Sequence, residues 1–212
     1  MDAATSLGIM EIIGIAGSAS LLSGWRLYLT VCATGVAMQY GVLPLPEHLE
    51  SLQVLANPWV IAIAGFAAFC EFFADKVMWL DSIWDSVHTL IRPIGGALLA
   101  LAIIDPADPA TQVIAFLLGG GAALAAHGGK AGARAVVNTS PEPVSNVAVS
   151  ATEDVVSVGL LYLVYEYPVM SMIVAGVLLA LTVAMLWLAK KVLSRIFGVL
   201  AGGSGAGAAP PS

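Results

Sequence analysis

"YPVMSMIVAGVLLALTVAMLWLA", Tyr167 to Ala189, runs for 23 residues without one charged side chain. A helix crosses the hydrocarbon core of a bilayer with about 20 mostly apolar residues. The stretch therefore predicts a transmembrane helix. Leu27 to Pro46, Ser51 to Cys70 and Pro109 to Ala126 are also uncharged. Ser86 to Ile104 and Pro143 to Tyr165 are apolar with charges set inside them. The chain as a whole is 59% hydrophobic and 10% charged, with a mean hydropathy of +0.92. Alternating segments of about 10 residues, the mark of a membrane β-barrel, do not occur. The expected fold is all-α: a polytopic transmembrane helical bundle of six spans. It forms one domain over residues 1–200, followed by a flexible Gly/Ala/Pro tail at 201–212.

Met10 to Trp25 is apolar but short, rich in Gly and Ser, and carries Glu11. It reads as a seventh span, a re-entrant segment or an interfacial helix. Joined to Leu27–Tyr40 it would rise about 45 Å, too far for one unbroken crossing. A break near "SGWR" (Ser23–Arg26) is the economical expectation. "SGWRLYL" and "AGARAVV" share Gly-x-Arg at an offset of 108 residues, which raises the possibility of an internal duplication.

Lys190, Lys191 and Arg195 follow the last span, so the positive-inside rule places the C-terminus in the cytoplasm. Counting back puts Lys130, Arg134 and Lys76 inside and the acidic loops outside, as expected for a multi-pass protein of the cytoplasmic (inner) membrane. The net charge of −6 argues against nucleic acid as a partner. Cys32 and Cys70 sit singly in apolar spans and read as small core residues. No Lys or Arg precedes Arg26, so the start does not read as a cleaved signal peptide.

Charge is scarce in this chain, which makes its placement informative. In "DSIWDSVHTLIRP" the spacings of four, three and four put Asp81, Asp85, His88 and Arg92 on one helical face. The apolar run after Arg92 is too short to span alone, so the membrane segment is expected to begin near Ser86 and carry Arg92 inside. Glu71 and Asp75 stand one turn apart at the inner end of the second span. His127, Lys130 and Arg134 share a face if a helix continues through Gly128 and Gly129. "NTSPEPVSN" (Asn138–Asn146) follows, with Pro141 and Pro143 forbidding a continuous helix. Glu153 lies near the bilayer midplane, where a charge costs about 2.5–3.5 kcal/mol even on the mildest scale. Asp154 beside it needs a partner of its own.

"SGWRLYLTV", "EFFADKV", "DSIWDSVHTLIRPIGGAL", "HGGKAGARAVVNTSPEPVSN" and "ATEDV" together resemble a bacterial integral-membrane family, domain of unknown function 4126. The likeness runs from about Gly24 to Val164. It implies class and membrane location, and brings no activity or catalytic residue to carry across.

Three functional classes remain open. The favoured one is a small transporter or lipid-headgroup translocase. Arg26, Arg92, Lys130, Arg134, Asn138 and Asn146 would bind an anionic small molecule or headgroup. Glu71, Asp75, Asp85, His88, Glu153 and Asp154 would carry a coupling proton or cation. The second is a membrane-embedded enzyme acting on a phosphorylated lipid, with Asp81, Asp85, His88, Glu71 and Asp75 as metal ligands. No HExxH or Gly-x-Ser-x-Gly motif supports it, and no residue is assigned as catalytic. The third is a structural assembly factor. The sequence points to no particular cofactor or metal.

Overall fold

The computed structural model describes residues 9–41, 53–104, 109–137 and 143–203. Six helices follow in order: α1 Ile9–Gln39, α2 Pro58–Ala74, α3 Met78–Ile103, α4 Pro109–Val137, α5 Pro143–Glu166 and α6 Pro168–Gly203. Proline opens four of them, where its missing N–H is no loss and its fixed φ suits the first turn. Asn57 caps α2, its Oδ1 accepting from the Trp59 N–H at 2.9 Å. Five helices are long and apolar enough to cross a membrane, and α2, at 17 residues, is shorter. The chain is a multi-pass helical membrane protein.

The apolar N-terminal segment is the first half of α1 rather than a span of its own. A single residue interrupts the 31-residue helix: Arg26, with φ −143° and ψ 72°. That is the break expected at "SGWR". α3 starts at Met78, and its apolar span runs from Trp79 to Ile103, earlier than the expected start near Ser86. The stripe from Asp81 to Arg92 therefore lies wholly within α3 and turns inward, so its charges do not end the span.

α1 is the hub, packing against each of the other five helices. Its sequence explains this, because the inward positions are small. Ser18, Ala19, Ser20, Ser23, Thr30 and Thr34 are fully buried. Without a hydrophobic drive between helices in lipid, close approach of small residues and hydrogen bonds hold helices together. Ser18 Oγ donates to the Ser171 carbonyl of α6 and Ser20 Oγ to the Gly96 carbonyl of α3, each at 3.0 Å. A Cβ added at Gly24 would strike the Ala123 carbonyl oxygen of α4 and lie 2.8 Å from Ala126 Cβ. α3 and α4 meet through Gly96, Ala100, Gly119 and Ala123. A Cβ at Gly119 would approach the Gly96 carbonyl oxygen to 2.8 Å. Large apolar side chains such as Trp59, Phe66, Leu117, Val183 and Trp187 face outward, as they would toward lipid.

Candidate functional site: a buried network of charge

The break in α1 organises the polar interior. Where a helix stops, its last carbonyls lose their intrahelical donors and its C-terminal end carries partial negative charge. The Gly24 carbonyl accepts from Arg92 Nη1 at 3.4 Å and the Trp25 carbonyl from Lys130 Nζ at 3.2 Å. Two cations from α3 and α4 thus meet the end of the first half-helix.

Arg92 ties the first knot. Its Nη2 donates to Glu71 Oε1 at 2.6 Å, and its Nη1 lies 3.1 Å from Asp85 Oδ1. The same Nη1 lies 2.6 Å from His127 Nδ1. A guanidinium only donates, so His127 Nδ1 must accept and carries no proton. Its remaining proton is on Nε2, 3.1 Å from Thr89 Oγ1, which in turn donates to the Asp85 carbonyl. His127 is therefore held as one neutral tautomer.

The second knot centres on Asp75, just past the end of α2. Arg26 pairs with its Oδ2, Lys130 Nζ lies 3.1 Å away and Arg134 Nη2 3.5 Å. Arg134 Nη1 also donates to the Asp75 backbone carbonyl at 3.2 Å. Burial by itself would raise this carboxyl, but Lys130, Arg26 and Arg134 outweigh it and hold Asp75 down at about 2. From there the network extends to α5. Glu153 lies 2.9 Å from Arg134 and 3.4 Å from Arg26, and Asp154 Oδ1 lies 3.0 Å from Arg26 Nε. Arg26 Nη2 reaches Ser150 Oγ at 3.1 Å and its carbonyl at 3.2 Å. Lys130, 4.0 Å from Glu71, joins the two knots.

Arg26, Arg92, Lys130, Arg134, Glu71 and Asp75 are essentially excluded from solvent. Among the described residues the network is most open on the α5 side, where the Glu153 and Asp154 side chains are 16% and 23% exposed, against 10% for Asp85. A cavity of about 440 Å³ lies there, lined by Arg26 and Leu29 of α1, Ala68, Glu71 and Phe72 of α2, and Asp154, Val155 and Val158 of α5. The cavity exists because α2 and α5 both pack on α1 and make little or no contact with each other.

Of the residues expected to form the site, Arg26, Glu71, Asp75, Asp85, Arg92, Lys130, Arg134, Glu153 and Asp154 converge in this one network. His88 stands beside it. Its Nδ1 donates to the Trp84 carbonyl at 2.7 Å, its Nε2 faces Tyr28 OH at 2.9 Å, and its ring stacks on Trp84 with centroids 4.4 Å apart. Asn138 and the Asn146 side chain lie outside the described residues. Asp81 is buried and acts electrostatically on Arg134. The carboxylates turn to cations rather than to one another. Among the described residues no three His, Cys, Asp or Glu side chains are grouped to hold a metal ion. Sequence reasoning did not assign Tyr28 or Thr89 to the site, nor the carbonyls of Gly24 and Trp25. Only the position of the α1 break could have signalled the carbonyls.

The family model described as "Domain of unknown function (DUF4126)" matches residues 13–191, from the first half of α1 to two thirds of the way along α6. The chain belongs to that family. The matched stretch contains every member of the network, so the arrangement lies wholly inside the family's domain. No curated protein and no solved structure matches the chain.

Proposed function

We propose that this family member is a small transporter of the cytoplasmic membrane, its C-terminus on the cytoplasmic side, in which the buried network carries a coupling proton or cation. The observation that carries the reading is the charge balance. In the ion pairs of the described residues five carboxylates, Glu71, Asp75, Asp85, Glu153 and Asp154, share four cations, Arg26, Arg92, Lys130 and Arg134. His127 is neutral by its hydrogen bonds. An uncompensated negative charge inside a bilayer is expensive, so a proton or small cation belongs there. Its most accessible seat is the half-open Glu153–Asp154 end.

The cations do not invite an anion. Arg26, Arg92, Lys130 and Arg134 each already face carboxylates, and an anion would have to displace one of them. The enzyme reading loses its motivation for a similar reason, since Glu71, Asp75 and Asp85 each pair with a guanidinium or ammonium group. A purely structural clamp is the competing reading, favoured by how completely the cations are paired.

Proteoliposomes loaded with a pH-sensitive dye separate the two. Under a potassium-diffusion potential, the wild-type protein should move protons and Glu153→Gln should not. Flux no greater than that of empty liposomes, or identical in both proteins, would support the clamp.

A further inference from the structure

The 440 Å³ cavity between α2 and α5 has a polar end and an apolar wall. Its volume is within the roughly 300–1,000 Å³ common for small-molecule sites. Arg26, Glu71 and Asp154 form the polar end, while Leu29, Ala68, Phe72, Val155 and Val158 line the rest. The hydrogen-bonding state of the polar end identifies the ligand. Arg26 bonds Asp75 through Nη1 and Ser150 through Nη2, while its Nε lies 3.0 Å from Asp154 Oδ1 as an ion pair without hydrogen-bond geometry. Glu71 Oε1 takes Arg92 and Asp154 Oδ1 pairs with Arg26, but the second oxygen of each, Glu71 Oε2 and Asp154 Oδ2, is buried without a hydrogen-bond partner. Glu71 is 1% exposed. A buried carboxylate oxygen left bare costs free energy, and what it lacks is a donor. The network also lacks one positive charge.

We propose that the slot binds a primary ammonium group carried on an aliphatic chain, entering sideways from the bilayer between α2 and α5. The ammonium offers three N–H donors and one positive charge. Two of those donors match the orphaned oxygens, and the charge completes the balance. The chain lies along Leu29, Ala68, Val155 and Val158 toward lipid. The inference deepens the transport reading by naming the chemical class that the pathway takes. The ammonium can belong to a free lipophilic amine or to a lipid headgroup.

Native mass spectrometry of the detergent-released full-length protein tests this without any transport measurement. The probes are dodecylamine, phosphatidylethanolamine, dodecanoate and phosphatidylglycerol. Dodecylamine should bind at least tenfold more tightly than dodecanoate. If the source is a headgroup, phosphatidylethanolamine should likewise exceed phosphatidylglycerol; if it is a free amine, only dodecylamine should. Asp154→Asn should weaken amine binding about tenfold. Val158→Trp, which fills the slot and leaves every charge in place, should abolish it. Glu71→Gln is less useful, because it also strips Arg92 of a partner. Equal binding of dodecylamine and dodecanoate, or amine binding unchanged in either variant, would overturn the assignment. Amine binding without proton flux would leave this site standing and sink the transport reading; flux without amine binding would do the reverse.

Discussion

Asp75 holds three cations from two helices, and removing its charge should be the costliest single change in the molecule. Its side chain is wholly buried against Arg26, Lys130 and Arg134. Breaking a buried pair by deleting one partner costs about 3–5 kcal/mol, because the other charge is left without compensation. Asp75→Asn keeps the shape and should fall in that range. Lys130→Met should cost a similar amount, since it bares Asp75 while Arg26 and Arg134 remain. The double variant removes one charge of each sign and leaves the net charge of the network as in the wild type. Its loss should fall short of the sum of the singles by about 1–3 kcal/mol, the range of coupling between contacting groups. Reversible unfolding in mixed micelles, followed by tryptophan fluorescence, gives all three values. Additive losses, or a loss below about 1 kcal/mol for Asp75→Asn, would refute the claim that Asp75 anchors the network.

Gly24→Ala should destabilise by about 1–3 kcal/mol in the same assay, since its Cβ meets the Ala123 backbone. Gly121→Ala, which meets nothing within 4 Å, should be neutral or stabilising by up to about 1 kcal/mol. Arg92→Lys should cost about 2 kcal/mol or more, because one ammonium cannot reproduce the fork that joins Glu71, Asp85 and His127; thermal melts in detergent would show it. Asp75 is held at about 2 against an ordinary 3.8. A depressed carboxyl contributes stability that is fully present above the ordinary value and lost as pH falls through the folded one. Acid titration should therefore weaken the protein between about pH 4 and pH 2, and Asp75→Asn should flatten that segment of the curve.

Much of this interior was legible because charge is rare in an apolar chain. The register of Asp81, Asp85, His88 and Arg92 was enough to place them on one face, and all four are buried on α3. The break at Arg26 followed from the length of the apolar run. What one-dimensional reasoning could not supply was pairing. Arg26 and Asp154 are 128 positions apart, and only the central position of α1 among the other helices brings them together. Asp75 looked like an end-of-span residue at the aqueous face; it is a hub because α4 carries Lys130 and Arg134 down to it. The start of the apolar span, Trp79 rather than near Ser86, was set too late because charges ordinarily end a span, and here Arg92 is neutralised by Glu71 of α2.

Whether the network is a pathway or a clamp turns on access to its α5 side. Ser150 is fully buried, accepts from Arg26, and lies one turn before Glu153 and Asp154. Ser150→Cys, in a chain with Cys32 and Cys70 replaced by alanine, can be treated with a membrane-impermeant, positively charged thiol reagent. A pathway predicts labelling in sealed vesicles at a rate that changes with pH as the network gains or loses its proton. A folded protein that stays unlabelled at every pH, yet reacts fully once unfolded, would contradict the account.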